Sequence, residues 1–219
     1  MPDSSPISII KPRLCVDIKG PPVVSLEHDI ISIRFNENLA QCNLLEVSVN
    51  NWGIGNNGVI GYKYSEGNLL HLGASISLYV GDFILAEGTI VTLAPSFPKG
   101  NPPTLMFTVD AKHPPQNTYQ RVLRTAVALT YPAELVEFHP VLRNSENLSR
   151  PRIDATGMVE GGVPILTAGT ALKISGVGIS YSGEYLVTET THTFDLQFGY
   201  WTRFACSTIY LESLPGSLL

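Results

Sequence analysis

Along the first half of the chain apolar and polar residues alternate singly rather than in steps of three and four. Arg13-Leu14-Cys15-Val16-Asp17-Ile18-Lys19 and Ile30-Ile31-Ser32-Ile33-Arg34-Phe35 follow the pattern a strand with one buried face requires. Gly20-Pro21-Pro22 breaks the chain between them. The same alternation predicts strands over 44–49, 74–80, 83–93 and 105–109, separated by Gly73, Gly81-Asp82 and the Pro-rich loop 94–103. Six strands in the first 110 residues predict a sandwich or barrel.

Between the halves the period changes. After Pro114-Pro115, Asn117 is a candidate N-cap, and Tyr119, Val122, Leu123, Ala126 and Leu129 fall near helical spacing, which predicts a short helix. Val127, Thr130 and Tyr131 are better strand formers and pull against it. A strand is predicted over Leu135–Pro140, and the polar run Arg143–Pro151 reads as a loop or domain seam. From Ile153 alternation returns at 153–158, 171–175, 183–193 and 200–210, broken by Gly161-Gly162, Gly176-Val177-Gly178 and Gln197-Phe198-Gly199. The chain thus reads as mainly β. A first antiparallel barrel or sandwich unit is expected over 1–110, a linker with a short helix and a strand over 111–152, and a second unit over 153–219, to which strands within 127–140 are also assignable.

Composition narrows the classes of partner. Only 15% of the 219 residues are charged while 44% are hydrophobic, against about 25% charged in ordinary soluble domains. Such scant polar cover suits a subunit that hides apolar surface against its neighbours. The net charge of −5 and pI near 5.5, with no run of Lys or Arg, remove the electrostatic basis for direct nucleic-acid binding. No apolar stretch is long enough to span a bilayer, and Met1-Pro2-Asp3-Ser4-Ser5-Pro6 lacks the basic-then-apolar order of a signal peptide. The expectation is a chain made in the cytoplasm that does not enter membranes by itself. Cys15, Cys42 and Cys206 are odd in number, far apart and without a CxxC pair, and read as small buried hydrophobes.

Candidate chemistry is sparse. Gly53-Ile54-Gly55-Asn56-Asn57-Gly58 matches a dinucleotide fingerprint in letters, but the β-branched and aromatic residues after it cannot open the helix that fingerprint needs, so it reads as a hairpin or long loop. His28, His71, His113, His139 and His192 show no metal-ligand spacing. His192 falls on one face of an alternating strand and is expected to be hydrogen-bonded at a barrel edge. Glu134 with Glu137, and Glu184 with Glu189, are the nearest carboxylate pairs, yet they lack the aromatic surroundings of a sugar cleft and read as solvated strand faces. With no GxSxG, P-loop or paired Cys and His, no catalytic residue, cofactor or metal is assigned.

The segment from Ala155 to His192 carries a pattern of its own: Gly176, Gly178, Gly183, Tyr185, Val187 and His192, followed by Gly199, Tyr200, Thr202 and Phe204. It resembles the closing part of the hub proteins of contractile phage tails, the late-control D-like family. Gly73, Gly81, Glu87, Gly88 and Ile90, with the Pro-rich loop, resemble that family's opening barrel. The separation of the halves by 111–152 is shorter than the insertion common in the family, so the likeness is to a minimal hub.

The resemblance implies a non-enzymatic homotrimer. Its two tube-like barrels per chain would form a ring of six similar units, adapting the six-fold tail tube above to a three-fold spike below. Tail-tube protein, spike, surrounding baseplate proteins and a tape-measure protein in the lumen are the implied partners, in a virion baseplate assembled in the host cytoplasm. Gly176, Gly178, Gly183, Tyr185, His192, Tyr200, Thr202 and Phe204 are its structural motif. A tail-tube initiator or distal-tail ring protein is the nearest alternative. A carbohydrate-binding sandwich using Trp52, Trp201 and the tyrosines is an alternative of another class.

Overall fold

The computed structural model describes residues 12–16, 24–40, 43–54, 58–66, 69–112, 127–143 and 152–208. The first half holds β1 (Pro12–Val16), α1 (Val24–Asp29), β2 (Ile30–Asn38), β3 (Asn43–Asn50), β4 (Trp52–Ile54), β5 (Ile60–Tyr62), β6 (Ser75–Val80), β7 (Phe83–Ser96) and β8 (Thr104–Lys112). The second holds β9 (Val127–Thr130), β10 (Leu135–Arg143), β11 (Arg152–Glu160), β12 (Ala171–Ser175), β13 (Gly183–Asp195) and β14 (Gly199–Thr208).

The alternation becomes strands almost everywhere it was read, and the fold is mainly β and antiparallel. The expected helix around Asn117, Tyr119, Val122, Leu123 and Ala126 lies outside the described residues. Its last position, Leu129, is in β9, where the β-branched and aromatic neighbours prevail. Cys42 and His113 also lie outside.

One sheet runs in the order β1-β6-β7-β8-β3-β2-β13-β14-β11-β10, and β12 extends it by pairing with β13. The β4–β5 hairpin stands apart, with Gly53 opposite Gly61. Two tight turns show why glycine sits where it does. Gly81 takes φ +62° to join β6 and β7, and Gly199 takes φ +74° after a turn in which Asp195 Oδ1 accepts the Gln197 and Phe198 amides.

The buried side chains separate into two clusters. One contains Leu14, Phe35, Leu45, Ile76, Phe107 and Val109 together with Phe194 and Tyr200, and the other contains Leu129, Leu135, Leu172, Tyr185, Val187 and Phe204. The β13–β14 hairpin therefore packs its tip into the first cluster and its base into the second. Along one side of β13, β12 pairs with residues 183–186 and β2 with 189–195. Between them the register slips between Val187 and Glu189, a β-bulge at Thr188, and the Leu39 amide donates to the Thr188 carbonyl there at 3.2 Å.

Candidate functional site

The bulge carries both clusters on one side of a single sheet and leaves the opposite side open. One buried cross-strand row reads Val159–Thr202–His192–Phe35–Leu45–Val109–Ile90. The neighbouring row on the open side reads Glu137–Met158–Arg203–Thr191–Asn36–Leu44–Asp110–Thr89, and another reads His139–Thr156–Ala205–Glu189–Asn38. Small polar and charged residues dominate these rows, and they bond laterally. Thr191 donates to Asn36 Oδ1 at 3.0 Å and Asn38 Nδ2 to Glu189 Oε2 at 3.3 Å. A groove of about 440 Å³ runs between Glu137, His139, Glu189 and Arg203. The result is a broad polar face spanning both clusters.

Beneath it, a buried polar seam ties the two clusters together. His192 is 1% exposed and opposes Thr202 across β13 and β14. Its Nε2 lies 3.1 Å from the Leu166 carbonyl, which can only accept, so Nε2 carries a proton and in the neutral ring Nδ1 is the acceptor. Nδ1 meets the Tyr200 hydroxyl at 2.7 Å and the Thr202 hydroxyl at 3.1 Å. Burial pushes the Tyr200 phenol well above its ordinary range, with Thr202 opposing, so Tyr200 stays a donor.

Glu37, 3% exposed, stands at the buried parity of β2 after Ile33 and Phe35, and its Oε2 accepts the Ala168 amide at 2.9 Å and the Thr190 hydroxyl at 3.2 Å. The Val163 amide donates to Thr202 Oγ1 at 3.0 Å. Three points of the segment 161–170 are thus pinned across the seam. Gly162, at φ +68°, lets the chain pass there, because a Cβ would lie 2.1 Å from the Tyr200 ring.

The structure divides the motif residues among three places. His192, Tyr200 and Thr202 meet in the seam, in the interior rather than at an edge. Tyr185 and Phe204 are core residues of the second cluster. Tyr185 donates to the Tyr181 carbonyl at 2.5 Å, and Phe204 lies against Gly157. Gly176 and Gly178 have φ +82° and +84° in the turn before β13, and a Cβ on Gly176 would lie 2.2 Å from the Tyr131 carbonyl oxygen. Gly183 opens β13 with no left-handed φ and open space around it.

Sequence reading missed Glu37, although a carboxylate in phase with Ile33 and Phe35 was a legible signal. It also missed α1 and a cluster at its end. Asp29 accepts from Lys63 and from the Tyr64 hydroxyl at 2.7 Å, while buried Asn51 takes the Tyr64 amide at 2.9 Å. These bonds hold the β4–β5 hairpin to the sheet.

The other candidates are dispersed. Glu134 caps the Thr130 amide at 2.7 Å, Glu137 and His139 are exposed on β10, and Glu184 opposes Lys173. Trp52 is met edge-on by Tyr62, and Tyr62 by Phe97, while the Trp201 face is covered by Arg203 at 4.7 Å. Cys15 and Cys206 are buried and free. Among the described residues no three His, Cys, Asp or Glu side chains converge as a metal site, and no helix is long and apolar enough to cross a membrane.

The architecture has counterparts among solved structures. The 43 kDa tail protein of prophage MuSo2 from Shewanella oneidensis matches with a TM-score of 0.58 at 9% identity, over 89% of this chain and 96% of its own. The two chains share a fold. A tail protein from Neisseria meningitidis MC58 matches with a TM-score of 0.56 at 8% identity, over 90% of this chain and 96% of its own. The E. coli c3393 protein, a type VI secretion component described as similar in structure to the T4 bacteriophage tail proteins gp27 and gp5, matches with a TM-score of 0.55 at 10% identity, over 91% of this chain and 77% of its own. No protein family and no curated protein matches at the level of sequence.

Proposed function

We propose that this chain is the structural hub of a contractile phage tail or related injection machine. It acts as a trimer whose six β units form a ring between the six-fold tube and the three-fold spike, without catalysis. One observation carries the reading: a single sheet crosses two separately packed β clusters and keeps one open polar face across both. Two similar units in one chain reconcile six-fold with three-fold symmetry, and a polar, laterally bonded face suits the wall of a passage. The fold shared with tail proteins supports the same reading.

The mass of the purified chain in solution, alone and with the tube and spike proteins of the same source, tests it. A trimer, or one that forms when the spike is added, is expected. A stable monomer indifferent to both partners refutes the hub.

A further inference from the structure

One charge arrangement on the open face is out of balance. Arg143 of β10 and Arg152 of β11 stand directly opposite each other in the register, a like-charge pair of the kind that weakens a sheet. Asp154 lies between them. Arg143 Nε forms an ion pair with Oδ2 at 2.9 Å, and Arg152 Nε donates to Oδ1 at 2.7 Å.

A single carboxylate therefore serves two guanidiniums. Among the described residues one positive charge is left over, and each guanidinium is engaged through Nε with no ion-pair or hydrogen-bond partner for the rest of its planar fork. The side chains are 65% and 49% exposed. The connection 144–151 holds one acid, Glu146, and one base, Arg150, so its formal charge does not supply the balance. Beside the pair runs a groove of about 360 Å³ whose walls combine polar His139, Thr156, Thr188 and Ser207 with apolar Val141 and Cys206.

We propose that this cluster is a socket for a carboxylate carried by a second copy of this chain, which makes the β10–β11 hairpin one side of the contact between subunits. The proposal rests on the ring reading above. Charge complementarity selects the occupant. The chain carries 19 acidic against 14 basic residues, and exposed Glu66, Asp82, Glu160 and Glu184 make no ion pair among the described residues. A polyanion laid along the same face would meet Glu137, Glu189 and Asp195, whereas a single side chain reaches the arginines alone. Among the described strands β10 ends the sheet, and Pro140 within it blunts simple strand addition and leaves side-chain contact as the means of association.

The test uses the full chain and its Arg143→Glu, Arg152→Glu and doubly substituted variants. Their mass is measured by light scattering over a concentration series at low and high salt, with circular dichroism confirming the fold. Arg143→Gln and Arg152→Gln replace them where charge reversal prevents folding. The double variant is expected to associate about tenfold or more weakly at low salt, and high salt to narrow the gap. Asp154→Asn, which frees both guanidiniums, is expected to associate at least as tightly as the parent at low salt. If the parent forms trimers and the folded double variant forms them equally well, the socket is refuted and the hub reading stands. If the double variant still trimerises but no longer binds tube or spike protein, the occupant is a different chain and the second-copy assignment falls. A parent that stays monomeric with both partners present overturns the hub reading, and the socket with it.

Discussion

Replacing His192 with Ala removes the group on which the seam converges, and its cost can be worked from the bonds. The Leu166 carbonyl, packed beside a fully buried side chain, loses its donor at 3.1 Å, a penalty of about 1–3 kcal/mol for a buried group left unpaired. Loss of the ring itself, stacked 6.3 Å from Phe35 and 6.0 Å from Tyr200, opens a cavity worth about 2 kcal/mol more. The Tyr200 hydroxyl keeps Thr202 as a partner and adds little. The sum is about 3–5 kcal/mol, or on the order of 10 °C in Tm for a chain of this size.

Tyr200→Phe is the informative companion. It removes the donor at 2.7 Å, but the Thr202 hydroxyl at 3.1 Å can donate to Nδ1 in its place, so about 1 kcal/mol is expected. Urea unfolding followed by circular dichroism gives both numbers, and hydrogen exchange at residues 163–168 shows whether the segment over the seam is released. If His192→Ala costs under about 1 kcal/mol, or Tyr200→Phe costs as much as His192→Ala, the tautomer and the pinning of 161–170 are wrong.

Three further outcomes are expected. Gly176→Ala should destabilise by about 2 kcal/mol or more, since it combines a left-handed φ with a clash against the Tyr131 backbone, whereas Gly183→Ala should change stability by under about 0.5 kcal/mol; equal melting shifts would contradict this. Burial, with the Asp154 carboxylate adding, pushes the Cys206 thiol up to about 12, so its contribution is intact below the unfolded value near pH 9 and is lost as pH rises from there toward 12. Stability should then fall by about 1.4 kcal/mol per pH unit through that window from this group, and Cys206→Ala should show a shallower slope; parallel curves would sink the assignment. Asp29→Asn weakens the anchor of Lys63 and Tyr64, and should cost about 1–3 kcal/mol and shift Trp52 fluorescence as the β4–β5 hairpin loosens; an unchanged spectrum and Tm would show that the anchor lies elsewhere.

The strands of the large sheet were legible because alternation is a local property. Ile33 and Phe35, or Leu45 and Val47, announce their buried side with no knowledge of their partners. The β4–β5 hairpin was legible as a turn-rich excursion because glycine marks it. α1 was not, since six residues are too few to show a helical period. β9 was legible only as strand formers pulling against a helix, because its pairing is parallel and with β12, far along the chain.

The motif around His192 was visible as spacing and its chemistry was not. Uninterrupted alternation from Tyr185 would have put Glu189 and Thr191 on the side of Val187. The bulge at Thr188 shifts the phase by one, so Thr190, His192 and Phe194 turn inward. Sequence by itself determined that the chain is built of alternating strands in two runs, poor in charge and without a recognisable catalytic constellation. Only the tertiary structure decided that the runs share one sheet, that Glu37 and His192 both hold the segment 161–170 across a seam, and that two arginines share Asp154. A strand's hydrophobic side is written in adjacent residues, whereas register, bulges and convergence depend on partners such as Asn36 and Thr191, 155 residues apart.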